Sequence, residues 1–426
     1  MRYLHCTMIF LIRNSHFDLY YLYSNTKVDE KGETKVRLLF TVNTYVPKRD
    51  GVQFVTKYLA EGLIKKGHSV DLITRRCEEL TKVEDEVING VHVLRWEADT
   101  KHTFHKGDKK GYQKYLIENA EKYDCMVNVG TQTSFVDWML PIMDQVKCPK
   151  ILYLHSIWDF KYRKNDFDNI QNFCKKTWAN IRWKIYYSTK GRSFKKFAKV
   201  IQLHKFDYSN MFFKQKYGID SAIIENAAEK YFFDDTMDNN IEVPEKYFIN
   251  VSNYMDRKNQ LEALKCFLEA DISNEFELIL IGSSKNQYYD ELIKYYNDYC
   301  KKNKNYKKVH FLYDIPREKI YTYVKKAYSY IMTSKWEAYP ISLIESMAAS
   351  VPWISTDVGI VRYLPGGVVA KNHKEIVYWI QFIANNIKIA REFGKIGNEY
   401  AIKQFEINKK VDLLEKYIIE VLEEEK

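Results

Sequence analysis

The first half of the chain alternates short apolar runs with amphipathic segments. Residues 36–42 form an apolar run, and residues 53–66 carry apolar side chains at roughly helical spacing before Gly67. A second apolar run, residues 68–74, follows directly, so this stretch predicts a strand, a helix and a second strand. Such a unit implies parallel strands joined by a right-handed crossover. Further strands are predicted at residues 91–94, 125–129, 151–155 and 200–203.

A second series of the same kind follows a polar, acidic interval, and its strands are predicted at residues 247–251, 278–281, 309–312, 329–332 and 353–355. The pattern predicts an α/β fold with two Rossmann-like domains that face each other across a cleft, each built on a parallel sheet. The predicted boundaries are an extension outside the fold at residues 1–34, a first domain at 35–228, a linker at 229–245, a second domain at 246–403 and a terminal helix at 404–426 that packs back on the first domain.

Composition narrows the class of protein. The 66 Lys and Arg exceed the 56 Asp and Glu, and a formal charge of +10 indicates an anionic partner. The seven Cys include no C-x-x-C pair, which argues against a disulfide scaffold or a zinc ribbon and favours reduced thiols in the cytoplasm. No apolar stretch approaches the roughly 20 residues that cross a bilayer. The nearest, residues 3–12, lacks the charge and cleavage site of a secretory signal.

The strongest chemical signal lies in the second half, where a strand, a turn and a helix follow one another between residues 329 and 348. Pro340 is well placed for the first turn of that helix, whose open amides favour an anion. Glu337 lies in the turn and Glu345 about two turns further on, where a carboxylate can accept hydrogen bonds from a diol such as a ribose. The glycine motif of dinucleotide-binding oxidoreductases and the P-loop of NTPases are both absent from the sequence.

This block resembles the retaining glycosyltransferases of family 4, whose signature is two glutamates separated by seven residues. Glu337 and Glu345 have that spacing, and Ser334, Pro340 and residues 345–348 surround them in the family's order, followed by residues 352–354 and 357–359. The resemblance extends over nearly all of the chain after residue 35. It implies the GT-B fold, with an acceptor-side first domain and a second domain that binds a nucleotide sugar.

The resemblance also implies the positions of the donor site. Donor-binding candidates are Gly51, Asn253, Arg257, Lys258, Glu337, Ala338, Tyr339, Pro340, Ile341 and Glu345. Among them, Lys258 would neutralise the β-phosphate, Glu337 would contact the sugar hydroxyls and Glu345 would hold the ribose. Asn253 stands where the family has an arginine, and an amide cannot form the bidentate fork that an arginine forms with a diphosphate. Arg257, adjacent to Lys258, can replace that charge only if it points into the cleft.

The expected reaction follows from the same resemblance. The catalytic candidates are His155, Glu337 and Lys258, with His155 at the junction of donor and acceptor. The donor would be a UDP- or GDP-sugar, the acceptor a saccharide or a lipid-linked sugar, and no metal or other cofactor is expected. Two alternatives stay open at this point: a UDP-N-acetylhexosamine epimerase of the same fold, and an RNA-binding or scaffold protein on an inactive transferase fold.

One segment carries all of the excess charge. Residues 161–199 contain 12 Lys and Arg against Asp166 and Asp168, whose Asp-x-Asp pattern we attribute to chance. Helical spacing predicts that Ile170, Cys174, Ile181 and Ile185 pack on the domain. The remaining basic and aromatic side chains suit an anionic membrane surface, with a solvated helix and RNA binding as alternatives. Lys175, Lys176, Lys195 and Lys196 are the membrane-facing candidates of a peripheral cytoplasmic protein.

Overall fold

The computed structural model describes residues 27–28, 34–48, 50–76, 85–101, 103–167, 169–234 and 241–425. The first half supplies twelve strands and five helices within this part of the chain. The strands are β1 (Lys27–Val28), β2 (Thr34–Lys35), β3 (Arg37–Thr41), β4 (Ser69–Arg75), β5 (Asp85–Ile88), β6 (Val91–Trp96), β7 (Ala98–Lys101), β8 (Phe104–Gly107), β9 (Cys125–Val129), β10 (Lys150–Tyr153), β11 (Lys199–Gln202) and β12 (Ala222–Ile223). The helices are α1 (Gly51–Lys65), α2 (Lys109–Asn119), α3 (Ser134–Met139), α4 (Ile170–Phe194) and α5 (Tyr208–Tyr217).

The main sheet of the first domain has the order β12-β11-β10-β9-β3-β4-β6-β5. The prediction of a wholly parallel sheet is wrong at one edge, because β5 pairs antiparallel with β6, with Ile88 opposite Val91. The two residues between them, Asn89 and Gly90, both have positive φ, which is the geometry of a tight hairpin turn and the reason that the strand turns back. Strands β7 and β8 form a separate antiparallel pair, and β1 pairs with β2.

The second domain contains one six-stranded sheet, all parallel, in the order β15-β14-β13-β16-β17-β18. Its strands are β13 (Lys246–Val251), β14 (Phe276–Gly282), β15 (Val309–Tyr313), β16 (Ser329–Met332), β17 (Trp353–Thr356) and β18 (Gly367–Ala370). Its helices are α6 (Gln260–Glu269), α7 (Gln287–Lys302), α8 (Arg317–Lys325), α9 (Ile341–Ala348), α10 (His373–Asn385) and α11 (Ile387–Gln404). The predicted fold class, α/β with two Rossmann-like domains, is confirmed.

The last helix, α12 (Ile407–Glu424), packs against α1 of the first domain. The two helices lie so close that a Cβ at Gly62 would be 2.3 Å from Cγ2 of Val411. Lys66 Nζ lies 2.6 Å from Asp412 Oδ1, and His68 Nε2 lies 2.8 Å from Glu415 Oε1. The chain therefore crosses back from the second domain and ends on the first. Residues 1–26 and 29–33 of the predicted extension lie outside the described residues.

Helix α4 buries the face opposite to the one predicted. Ile170 is 73% exposed and Trp178 71% exposed, while Trp183 and Tyr187 are buried. The buried aromatic side chains pack against one another and on α5, for example Tyr187 with Phe213 at 6.4 Å between ring centroids. Aromatic rings remove more apolar surface from water than isoleucine does, so their face determines how the helix docks. An apolar stripe is left facing solvent, formed by Ile170, Cys174, Trp178, Ile181 and Ile185.

Candidate active site

The candidate donor residues lie where strands β13 and β16 of the second domain end at their carboxyl edge. In parallel α/β sheets this edge is where ligands bind. The turn after β13 carries Lys258, and the turn after β16 carries Glu337; Lys258 Nζ lies 2.6 Å from Glu337 Oε1. Ser334 Oγ donates to the same carboxylate oxygen at 2.8 Å. Glu337 is buried, so the structure brings two of the predicted catalytic residues together as a shielded ion pair.

Backbone contacts tie the two turns to each other. Lys335 N donates to the Arg257 carbonyl oxygen at 2.8 Å, and Thr333 Oγ1 donates to the Asn259 carbonyl oxygen at 2.8 Å. Asn259 has a positive φ of 54°, which turns the chain from the Lys258 segment directly into α6. The position of Lys258 relative to Glu337 is therefore fixed by main-chain geometry as well as by their charges.

Helix α9 begins immediately after the Glu337 turn, at Ile341, with Pro340 as its cap residue. Among the described residues, the cap residue Pro340 gives the first-turn amides of α9 no side-chain acceptor, and open amides at a helix N-terminus favour an anion. Ala338 lies under Gly359, whose φ is +54° and where a Cβ would be 2.2 Å from the Ala338 carbonyl oxygen. The turn that carries Glu337 and Ala338 therefore requires glycine at position 359.

Glu345 is almost fully buried and forms an ion pair with Arg317, a residue that we did not predict for the site. The Arg317 guanidinium binds both carboxylate oxygens of Glu345, and its Nε donates to Glu229 Oε2 at 3.0 Å. It also lies over the rings of Phe54, at 5.2 Å, and Phe232, at 5.7 Å. Arg317 is the first residue of α8, which follows β15. Its position just beyond the carboxyl end of a predicted strand was the one signal in the sequence that could have indicated a place in the site.

The two predicted phosphate-binding candidates on the turn after β13 lie in different surroundings. Asn253 is exposed, and its carbonyl oxygen accepts a hydrogen bond from Gln260 at 3.0 Å. The Arg257 guanidinium lies over the Trp336 ring at 5.2 Å, and NH1 donates to the Trp336 carbonyl oxygen at 3.5 Å. Arg257 is thus held beside the turn that carries Glu337, while no side-chain hydrogen bond joins Asn253 to that turn among the described residues.

The first domain also contacts this region through Gly51, Asn226 and Arg163. A Cβ at Gly51 would be 3.5 Å from Cδ1 of Ile341, so the start of α1 lies against the start of α9. Asn226 Nδ2 donates to the Tyr339 carbonyl oxygen at 2.9 Å. Arg163 NH1 donates to the carbonyl oxygen of Lys335, two residues before Glu337. Arg163 is a further residue that we did not predict.

Asp50, the neighbour of Gly51, caps α1. Its carboxylate accepts from Gln53 N at 2.8 Å and from Thr44 Oγ1 at 2.7 Å. This role accounts for an acidic residue beside the predicted phosphate-binding glycine, because a capping aspartate is favourable at a helix N-terminus.

His155 follows β10 in the first domain and packs against the Tyr153 ring at 4.7 Å between centroids. Its Nε2 is buried, and the described residues give it no hydrogen-bond partner. Burial lowers the pKa of His155 to about 4, so the imidazole is neutral at neutral pH. Within the described part of the chain, no hydrogen bond or ion pair joins His155 to Lys258 or Glu337.

The membrane-facing candidates divide into two groups. Lys175 and Lys195 are exposed, and Lys196 pairs with Asp144 at 2.5 Å while remaining partly exposed. Lys176 does not fit the prediction, because its Nζ donates to the Asp159 carbonyl oxygen at 2.6 Å and lies over the Trp158 ring at 4.5 Å. Its position on α4 places it toward the body of the domain rather than beside the exposed apolar stripe.

Asp166 Oδ2 accepts a hydrogen bond from Arg163 N at 2.7 Å, which is a local turn contact, and Asp168 lies outside the described residues. Among the described residues, no helix is long and apolar enough to cross a membrane.

Residues 233–378 match the family described as "Glycosyl transferases group 1", and these residues contain Lys258, Arg317, Glu337 and Glu345. No curated protein sequence matches the chain.

Solved structures match over nearly the whole chain. A sucrose-phosphate synthase from Thermosynechococcus elongatus superposes with a TM-score of 0.68 and 16% identity, covering 90% of this chain and 98% of that one. A glycosyltransferase from Rickettsia africae gives 0.67 and 15%, covering 91% and 99%. Anabaena HepE in complex with UDP and glucose gives 0.66 and 12%, covering 90% and 100%. The chain therefore has the GT-B fold of glycosyltransferases, and its second domain carries the similarity to glycosyl transferases of group 1.

Proposed function

We propose that the protein is a retaining glycosyltransferase of family 4. It would move a hexose from a UDP- or GDP-sugar to a saccharide or lipid-linked acceptor in polysaccharide or glycolipid assembly. The observation that carries the proposal is the ion pair of Lys258 with Glu337 at the start of α9, with Glu345 on the same helix. A structural neighbour, Anabaena HepE, was solved with UDP and glucose, which supports a nucleotide sugar as the donor class.

In this proposal, each charged group acts on one part of the donor. Lys258 and the first-turn amides of α9 neutralise the charge that grows on the β-phosphate as the glycosidic bond lengthens. Once Lys258 pairs with phosphate, Glu337 is released to accept hydrogen bonds from sugar hydroxyls. Glu345 accepts from the ribose diol, and Arg317 orients it. No metal and no other cofactor is required for this charge neutralisation.

Retention would proceed by attack on the same face of the sugar, within an ion pair of the sugar cation and the departing diphosphate. Before donor binds, Glu337 Oε1 is held by Lys258 Nζ at 2.6 Å and by Ser334 Oγ at 2.8 Å, which favours a hydrogen-bonding role for this carboxylate over covalent attack. The neutral His155 imidazole would line the sugar site from the first domain and act there by hydrogen bonding. We therefore assign the two glutamates to binding and not to glycosidase-like acid and nucleophile roles.

Water exclusion would come from the first domain. Arg163 reaches the Lys335 carbonyl oxygen, and Gly51 lies against Ile341, so both ends of the Glu337 turn are covered. Closure of this kind limits hydrolysis of an activated donor.

Nucleotide release from a panel of UDP- and GDP-sugars tests the proposal, with and without saccharide acceptors. We expect release with at least one donor and at least a hundredfold loss in Lys258→Ala. Lys246→Ala is the matched control, because Lys246 also forms a 2.6 Å ion pair, with Glu275, but lies at the amino end of β13. Turnover of a UDP-N-acetylhexosamine without acceptor would favour the epimerase, and inactivity with every donor together with tight RNA binding would refute an enzyme.

We also propose that the protein works peripherally on the cytoplasmic face of a membrane, where a lipid-linked acceptor would be found. The exposed apolar stripe of α4, Ile170, Cys174, Trp178, Ile181 and Ile185, supports this, because such stripes flanked by lysine bind anionic bilayers. The flanking charge comes from exposed lysines such as Lys175.

Flotation with vesicles of anionic and neutral lipid tests the membrane proposal. We expect the wild type to bind anionic vesicles. The double variant Ile185→Ser with Trp178→Ser should abolish this binding, and Lys175→Glu with Lys195→Glu should weaken it. Ile396→Ser is the control, because Ile396 is 51% exposed on α11 and Ile185 is 59% exposed on α4. Flotation that is absent in the wild type, or equal in the wild type and the double serine variant, would refute the membrane role.

A further inference from the structure

A carboxylate, a thiol and an imidazole converge between helices α6 and α10 of the second domain. Glu262 and Cys266 lie one turn apart on α6, and His373 is the first residue of α10. His373 Nδ1 lies 2.9 Å from Glu262 Oε1 and 3.3 Å from Cys266 Sγ, and the sulfur lies 4.0 Å from the same carboxylate oxygen. None of the three belongs to the donor site described above.

These separations suit a small tetrahedral cation. With metal–ligand bonds of about 2.0 to 2.3 Å, the ligand atoms of a tetrahedral zinc site lie roughly 3.5 Å apart. The three observed distances, 2.9, 3.3 and 4.0 Å, bracket that value, so small side-chain rotations would equalise them. Sulfur, nitrogen and carboxylate oxygen are also the ligand types that zinc takes in proteins.

The second nitrogen of His373 supplies an independent observation. His373 Nε2 lies 2.8 Å from Glu269 Oε2. A carboxylate on the far nitrogen is the usual partner of a metal-ligating histidine, because it fixes the ring's tautomer and orientation and raises its basicity. With Nε2 donating to Glu269, a neutral His373 ring would present the lone pair of Nδ1 to a cation held between Glu262 and Cys266.

We propose that Glu262, Cys266 and His373 bind one Zn²⁺ ion, with water as the fourth ligand. On binding, the Cys266 thiol gives its proton to solvent as the zinc–sulfur bond forms, and no oxidation or reduction takes place. The ion joins α6 to α10 and so has a structural role. Because α6 begins two residues after Lys258, it also stiffens the helix that follows the proposed phosphate-binding turn.

Metal analysis of the full-length protein, purified without chelator, gives the first test. We expect about one zinc per chain, and a cobalt-substituted sample should show thiolate-to-cobalt charge-transfer absorption. Cys266→Ser should lose that absorption and His373→Gln should lose the bound zinc. Cys174→Ser is the control, because Cys174 is the one exposed thiol among the cysteines that the structure describes and could bind metal adventitiously.

Thermal unfolding with and without added zinc provides a second readout that does not depend on activity. Zinc should raise the Tm of the wild type and of Cys174→Ser, and leave the Tm of His373→Gln unchanged, because binding to the folded state alone shifts unfolding. Failure to find stoichiometric metal after zinc addition, or cobalt absorption equal in Cys266→Ser and the wild type, would overturn the proposal. The cluster would then be a hydrogen-bonded network of His373 between two glutamates.

Discussion

The ion pair of Arg317 and Glu345 allows a sharp test of the proposed ribose site. Glu345 is 1% exposed, and its carboxylate is bound by Arg317, which also binds Glu229. Glu345→Gln keeps the shape of the side chain and removes its charge. The substitution therefore separates the electrostatic role of the carboxylate from its packing role inside α9.

Glu345→Gln affects two free energies, that of unfolding and that of nucleotide binding. Breaking a buried ion pair by removing one partner costs about 3–5 kcal/mol. Arg317 keeps Glu229 and its side chain is 34% exposed, so solvent screening reduces the expected loss of unfolding free energy to about 1–2 kcal/mol. A hydrogen bond to a charged group contributes about 1.5–3 kcal/mol, so nucleotide affinity should fall roughly tenfold to a hundredfold if the carboxylate holds the ribose.

Calorimetric titration with UDP and GDP measures the affinity, and urea unfolding measures the stability. Glu229→Gln is the matched control, because it also removes one carboxylate from Arg317 but leaves Glu345 in place. We expect Glu229→Gln to lower stability and to leave nucleotide affinity nearly unchanged. Unaltered affinity in Glu345→Gln would refute the ribose role, and equal losses in both variants would transfer that role to Arg317.

Two further predictions follow from the backbone and from burial. Gly359→Ala should weaken donor binding at least tenfold in calorimetry, because the added Cβ would meet the Ala338 carbonyl oxygen. The control Gly218→Ala, at φ +68° with open space around it, should lower the unfolding free energy by only about 1 kcal/mol and leave donor affinity unchanged. Equal donor affinities in the two variants would contradict this prediction. Burial lowers the pKa of His155 to about 4, below its unfolded value of roughly 6.5. The neutral imidazole therefore contributes up to about 3 kcal/mol to the free energy of unfolding above pH 6.5, and this contribution is lost as the pH falls toward 4. The free energy of unfolding, measured in urea from pH 7 to 4.5, should therefore fall less steeply in His155→Asn than in the wild type. Parallel pH dependences in the two proteins would refute the lowered pKa.

The sheet strands could be predicted because strands of a parallel sheet are buried on both faces and stand out as continuous apolar runs. Cys125–Val129 and Ser329–Met332 are observed with the predicted bounds, and the other predicted strands differ by a few residues at their ends. The β5–β6 hairpin was missed although Asn89-Gly90 is a strong hairpin signal, because the expected parallel pattern took precedence over local turn chemistry.

Tertiary contacts determine which face of α4 is buried and where Arg317 lies, and neither could be predicted from periodicity. Isoleucines and aromatic residues on α4 have comparable helical spacing, and only the neighbouring α5 shows that the aromatic face is the buried one. Periodicity did not indicate the role of Arg317 either, because its partners Glu229, Glu345 and Phe54 come from three distant segments. Spacing within one segment can place a carboxylate such as Glu345 on a helix, but it cannot identify the cation that crosses to meet it.

The paired charges of the cleft also change how the donor would be recognised. The formal excess of ten positive charges is accounted for by residues 161–199, and in the cleft Lys258 and Arg317 are already bound to carboxylates. On the proposed function, a diphosphate would replace Glu337 as the partner of Lys258. A nucleoside diphosphate without a sugar would then leave the buried Glu337 carboxylate with the Ser334 hydroxyl but without its cation, which is costly. A nucleotide sugar offers hydroxyl groups to the Glu337 carboxylate when its diphosphate takes Lys258. On the proposed function, the ion pair would thus favour the complete donor over its diphosphate product.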